Sequence, residues 1–283
     1  MTQFIGTDII GASTAINDST TPGLVNGDGL YIAAGVNVVS TDFQGVQSST
    51  IDNYAITVAG SIIAESEAIR FRRSDATAVM DFDISVLASG SIFSQDEYGI
   101  NLFNDGDQSL VTGRINVTNA GSIGTSGRAG MFLGAATTTV VNNSGHIWTN
   151  ADDDFFNNAI RVIGSDFVRI TNTGLIETTA FDDSLSVSSI NDVAAISIHG
   201  AGVFAGSLAR VVNSGTVTGA THSFYSSMET VQLINLGVMN GIVQTGGVSG
   251  TTFLLRNAGD INGNIRPKGP EAAYLGFLRT IWR

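Results

Sequence analysis

Along most of the chain, apolar and polar residues alternate in short runs, and each run leads into a glycine. Eight such segments share a frame centred on Gly60, Gly90, Gly121, Gly145, Gly174, Gly215, Gly237 and Gly259. Four residues before the glycine the chain is always apolar: Ile56, Val86, Val117, Val141, Ile170, Val211, Leu233 and Leu255. Two residues before it, six of the eight segments carry Asn: Asn119, Asn143, Asn172, Asn213, Asn235 and Asn257. With 21 Asn in 283 residues, chance would place fewer than one there. Val58 and Ala88 hold that position in the first two segments. Two residues after the glycine an apolar residue returns, as at Ile123, Ile176 and Met239.

Period-two alternation buries one face of a strand. Asn and Gly tolerate positive φ, so the pattern predicts a bend at each frame glycine and a new strand beyond it. A second alternating signature follows at Ala68 to Phe71, Gly99 to Leu102, Gly130 to Leu133, Ala159 to Val162 and Ala195 to Ile198, and Gly29 to Ile32 fits it too. Each repeat therefore reads as two or three strands joined by bends, one coil of a solenoid. Successive frame glycines lie 30, 31, 24, 29, 41, 22 and 22 residues apart. The shortest spacing suits one β-helix coil, and the longer ones imply loops at Asn104 to Asp107, 151–154 and 180–192.

The fold predicted is all-β: a single right-handed parallel β-helix of about eight to nine coils over residues 27–265. Residues 1–26 lack the frame and are expected to cap the first coil. Residues 266–283 differ in composition and read as a C-terminal cap helix opened by Pro270 and Glu271, or as a non-native tail. Two buried columns are expected along the axis. One is apolar, four residues before the frame glycines. The other is a ladder of identical amides from Asn119 to Asn257, each bonding the next across one strand spacing.

Composition narrows the function classes. With 34 Gly, one Lys (Lys268) and 13% charged residues, the chain lacks the polar helix formers that helical surfaces need. A net charge of −12 without a basic cluster argues against nucleic acid and anionic membranes as partners. No apolar run is long enough for membrane insertion. The absence of Cys excludes disulfides, thiol catalysis and Cys-based metal sites. No basic start followed by an apolar stretch is present, so no cleavable secretory signal is visible.

The segments 119–123 (Asn-Ala-Gly-Ser-Ile), 172–176 (Asn-Thr-Gly-Leu-Ile), 213–217 (Asn-Ser-Gly-Thr-Val) and 257–261 (Asn-Ala-Gly-Asp-Ile) resemble the coils of autotransporter passenger domains. They are also similar to β-helical regions of secreted haemolysin-type (RTX) bacterial proteins. The resemblance covers roughly residues 27–265 and implies a secreted or surface-displayed bacterial protein, adhesive or structural. No Gly-Gly-x-Gly-x-Asp nonapeptide occurs, so RTX calcium binding is not implied. The residues after the repeats do not read as a translocator barrel, so an autotransporter is expected to be represented here only by a passenger fragment.

Candidate chemistry is sparse. The loops 151–158 and 178–192 hold Asp152, Asp153, Asp154, Asp182 and Asp183, and are expected to emerge on one side as a binding surface for a surface glycan or other polysaccharide. Calcium is open to these carboxylates, but no complete motif supports it. Asn104 to Asp107 resembles a calcium-loop fragment without the distant Glu, so no cofactor is expected. A lyase would need a base and cations, for which Arg70, Arg72 and Arg73 cluster in sequence, as do Arg161 and Arg169; Arg70 and Arg161 are expected on the solvent face. A glycosidase would need two carboxylates, which only the acidic loops supply. His146, His199 and His222 show no ligand spacing and read as surface or loop residues. No zinc-protease, serine-hydrolase or phosphate-loop motif occurs. Threonine pairs start at different offsets from the frame glycine, so they cannot form an ice-binding face. The expectation is a non-enzymatic extracellular structural or adhesive domain of a larger bacterial secreted or surface protein. A polysaccharide-acting enzyme is the alternative, and a trimeric, tailspike-like receptor binder the third reading; the oligomeric state stays open.

Overall fold

The computed structural model describes residues 1–20, 23–74, 79–104, 112–134, 136–150, 157–179, 193–200, 206–246 and 252–267, and the backbone of Glu271–Tyr274. Among them every regular element is a strand, and every strand pairing is parallel. The alternating runs coil into three walls around one apolar core, a parallel β-helix.

Wall 1 contains eleven strands in strict sequence order, from Thr2–Ile5 through Arg114–Asn119 and Phe167–Asn172 to Glu271–Tyr274. At the spacing of neighbouring strands this is a rod about 48 Å long. Wall 2 runs from Ile9–Gly11 through Ser122–Thr125 to Asp260–Asn262. Wall 3 runs from Val46–Ser48 through Ile100–Asn104 to Ile265–Arg266. The long strands Thr216–Ser226 and Val238–Thr245 serve walls 2 and 3 together, with register shifts after Thr218 and His222. In those two coils the corner is a bulge within one strand, which is why they need only 22 residues.

Both ends carry strands that pair with the neighbouring coils. Residues 1–26 lack the frame, yet Thr2–Ile5 pairs with Gly29–Ile32 and Ile9–Gly11 pairs with Asn37–Ser40, so they add a coil. Glu271–Tyr274 is a strand paired to Thr252–Asn257, not the start of a helix. An open wall edge offers unpaired backbone groups that a further strand satisfies and a helix does not. The segment Gly29–Ile32 belongs to wall 1, not to wall 3 as its resemblance to the second signature suggests.

The apolar column is continuous: Ile56, Val117, Val141, Ile170, Val211, Leu233 and Leu255 are all buried. The rung between Ile56 and Val117 is occupied by Ile84 instead of Val86, and Val86 pairs with Val58 and Asn119. The turn before Gly90 is two residues longer than the turns that follow, so counting back from the glycine slips by one side-chain pair. The buried side chains form one cluster over the full length of the rod.

The frame glycines are required for a reason other than the one expected. Among the described residues the glycines with positive φ are Gly27, Gly35, Gly113, Gly164, Gly206 and Gly241, none of them in the frame. A Cβ on Gly174 would instead lie 2.1 Å from the carbonyl oxygen of Gly145 in the preceding coil. The same clash recurs down the column, from Gly121 to Gly259. These corners stack backbone on backbone, leaving no space for a side chain.

The asparagine ladder is complete. Each of the six residues ends a wall 1 strand with its amide buried. Each Nδ2 donates to the next Oδ1, from Asn119 to Asn257, at 2.7–2.8 Å. The same Nδ2 groups also donate to corner carbonyls, as Asn172 does to Gly174 at 3.2 Å and Thr216 at 3.2 Å. At the open end, Asn119 Oδ1 accepts from the Gly121 N–H at 3.1 Å.

Candidate functional site

A second buried polar column lines the corner between walls 2 and 3. Ser40, Ser94, Thr125, Thr149 and Thr178 occupy equivalent rungs, with Ala64 filling one. Ser94 Oγ accepts from the Glu97 N–H at 3.1 Å, Thr125 Oγ1 donates to the Glu97 carbonyl at 2.7 Å, and Thr149 Oγ1 donates to the Arg128 carbonyl at 2.7 Å. These hydroxyls satisfy corner backbone that has left the strand ladder. They also fix the positions of Glu97 and Arg128, which open onto a cleft.

That cleft, of about 390 Å³, runs along the outside of wall 3 at this corner. Its volume falls in the usual range of small-ligand sites. Glu67, Arg70, Glu97, Asn101, Arg128 and Phe132 line it, with Arg72, Tyr98 and Phe103 at its sides. Arg70, Asn101 and Phe132 are direct neighbours on successive strands, so they form one outward column a strand spacing apart. Tyr98 stacks on Phe132 at 5.2 Å between centroids, and Phe103 packs against it at 4.9 Å. The Arg128 guanidinium sits 5.8 Å from the Tyr98 ring centre and pairs with Glu97 at 3.3 Å.

Glu67 is the hub. It is only 6% exposed and accepts from Gln44 Nε2 at 2.9 Å, Ser66 Oγ at 2.8 Å and Asn101 Nδ2 at 3.3 Å, with Arg70 Nε at 3.5 Å. Burial pushes the carboxyl upward. The hydrogen bonds from Gln44 and Ser66, and the charge of Arg70, outweigh that and hold it below its usual range. Glu67 is therefore an anchored anion, unsuited to giving or taking protons near neutrality. Because an ionised carboxylate only accepts, it also fixes which end of the Asn101 amide faces it. Asn101 is 3% exposed, and its Oδ1 finds no hydrogen-bond partner among the described residues. A buried acceptor without a donor costs about 1–3 kcal/mol unless something donates to it.

The residues singled out by sequence distribute unevenly. Asp152, Asp153, Asp154, Asp182 and Asp183 lie outside the described residues, as do residues 105–107 of the acidic turn after Asn104. Of the arginine cluster, Arg70 and Arg72 line the cleft, whereas Arg73 turns to Asp52 at 3.0 Å and the Ser49 carbonyl at 2.8 Å. Arg161 faces outward as expected but is covered instead of solvated: it is 6% exposed and reaches Asn158 Oδ1 at 3.4 Å. It extends the Arg70–Asn101–Phe132 column by one rung, while Arg169 lies exposed on wall 1, so the two do not meet. His146 is outward and pairs with Glu177 at 2.9 Å. His222 is a buried strand residue, contrary to the surface reading, and bonds Gln244 at 3.3 Å. Burial lowers its pKa from the usual histidine value. His199 Nε2 lies 2.7 Å from Ser197 Oγ, a nucleophile–base distance, but Ser197 is fully enclosed at 0% exposure. A substrate atom has no path to it.

Sequence reasoning missed Glu67, Glu97 and Asn101. One signal was available: Glu occurs only six times, and two of the six flank the second signature, just before Ala68 and just before Tyr98 and Gly99. Compared with known proteins, the chain is matched by no family model, no curated protein and no solved structure.

Proposed function

We propose that this β-helix is a non-enzymatic binding rod of a secreted or surface-displayed protein, adhering through saccharide units taken into the wall 3 cleft. The observation that carries this reading is the buried Oδ1 of Asn101, without a donor among the described residues, beside an aromatic cluster and arginines. Sugars present hydroxyl donors and C–H faces together, which suits a single acceptor set against aromatic rings. The rod supplies rigidity: its coils are joined by backbone ladders and by the amide and hydroxyl columns, so the cleft is held before any ligand arrives. The anchored state of Glu67 supports binding over proton transfer.

A glycan array probed with the purified chain tests the reading. Binding to defined glycans, lost in Phe132→Ala with the fold intact by circular dichroism, is the expected result. A second reading, a polysaccharide-acting enzyme, draws on Glu67 and Glu97 sharing one cleft. Release of reducing ends from a polysaccharide panel would favour it and overturn the first.

A further inference from the structure

We infer that the outward column Arg70–Asn101–Phe132 is a subsite for a carboxylated sugar residue, an assignment that rests on the saccharide-binding reading above. In a chain of net charge −12, three of the thirteen Lys and Arg side chains converge on one cleft that holds two carboxylates. Both carboxylates are engaged within the protein, Glu67 by its donors and Arg70 Nε, and Glu97 by Arg128. Arg70 contacts Glu67 through Nε, and its side chain keeps 26% exposure. A guanidinium presents further N–H donors in a planar fork that matches a carboxylate in two-point geometry.

The next rung sets the rest of the ligand. Asn101 Oδ1 needs a donor, and the protein supplies none among the described residues. A fully ionised phosphate or sulfate has only acceptors and leaves that atom unsatisfied. A sugar hydroxyl satisfies it once a small shift of the Asn101 side chain, which lines the cleft, brings the buried oxygen to the ligand. One rung further, Phe132 with Tyr98 and Phe103 offers apolar ring surface for the C–H face of a pyranose. Anion donor, acceptor and aromatic surface thus span two strand spacings, roughly 10 Å. This is the scale of one or two sugar rings.

The test is calorimetry with tetramers of glucuronic, galacturonic and mannuronic acid, each beside its carboxyl-reduced neutral counterpart and a sulfated neutral tetramer, at fixed salt. The expected result is at least tenfold tighter binding of one acidic tetramer than of its reduced form. Arg70→Gln should bring that ratio to within twofold while the neutral form binds as before, and Arg70→Lys should keep part of it. Phe132→Ala should weaken both forms alike. Equal affinity for acidic and reduced forms would overturn the carboxylate assignment and leave saccharide binding standing. Preference for the sulfated tetramer, or an unchanged ratio in folded Arg70→Gln, would overturn it as well. Binding of no acidic, neutral or sulfated form would overturn the saccharide reading itself.

Discussion

The corner between walls 1 and 2 is built in two ways along the rod. In the first four coils the rung that ends wall 1 holds Ile5, Ile32, Val58 and Val86, all apolar and buried. In the next six it holds the asparagine ladder. The turns differ accordingly. From Asn119, Asn143, Asn172, Asn213, Asn235 and Asn257, the next wall always starts three residues on, at Ser122, His146, Leu175, Thr216, Val238 and Asp260. In the apolar coils the interval is five residues from Ile32 to Asn37 and from Val86 to Ser91, but three from Val58 to Ser61. The longer corners close by backbone turns of their own, Val36 N–H to the Ala33 carbonyl and Gly90 N–H to the Leu87 carbonyl. An aliphatic side chain fills the corner without holding its carbonyls, so turn length is free to vary. An amide that bonds both the next amide and two corner carbonyls fixes it.

The sharpest way to break this comparison is at a glycine. Gly174→Ala puts a Cβ 2.1 Å from the Gly145 carbonyl oxygen, and backbone on both sides cannot yield. We expect a loss of about 3 kcal/mol or more in urea unfolding. Gly35→Ala, in an apolar-corner turn with φ +77° and nothing within 4 Å, should cost only about 1–2 kcal/mol, the left-handed backbone penalty. Similar losses at the two sites would mean that crowding does not set the Asn corners.

The ladder gives the next largest effect. Asn172→Ala removes the donor to Asn213 Oδ1 and the acceptor of Asn143 Nδ2, and should cost about 2–4 kcal/mol. Asn257→Ala removes the acceptor of Asn235 Nδ2, which keeps the carbonyls of Gly237 and Asp260, and one donor to the Gly259 carbonyl, and should cost about 1–2 kcal/mol. Equal losses would reduce the ladder to a set of independent turns.

The smallest effect is in pH dependence, and it separates the two halves again. His222, in the ladder half, has its pKa lowered by burial, with Gln244 opposing and Arg266 adding to the shift. Its contribution is full above the ordinary histidine value near pH 6.5 and is lost as pH falls below it, because the unfolded chain takes the proton first. Glu67, in the apolar-corner half, is also lowered, so its contribution is full above the ordinary value near pH 4.3 and lost as pH falls through the lowered one. Stability measured from pH 8 to 2 should therefore decline in two stages. His222→Gln should flatten the first and Glu67→Gln the second. A single stage unaffected by either variant would contradict both assignments.

Much of the rod was legible because its pattern is local and repeated. The alternation of Val168 to Ile176 names a strand, its inward face and its end, and six aligned asparagines announce a ladder. The slip at Gly90 shows the limit. Counting from a glycine assumes one turn length, and only the Asn corners enforce one. The reason for the glycines was hidden too, since a clash between Gly174 and the Gly145 carbonyl exists only once the coils are stacked. Arg161 followed the outward parity of its strand, yet burial depends on what covers the outside of a wall as well as on which side a residue points.

The cleft lay almost wholly beyond the sequence. Glu67, Asn101, Arg128 and Phe132 are separated by up to 65 residues and share no motif. What brings them together is the spacing of parallel strands, which sets residues one coil apart side by side whatever the loop length between them. The sequence by itself determined which residues face the core, because period-two burial is written in every run. The tertiary structure alone decided which outward residues meet, because that depends on how many residues each corner consumes before the next strand takes its place.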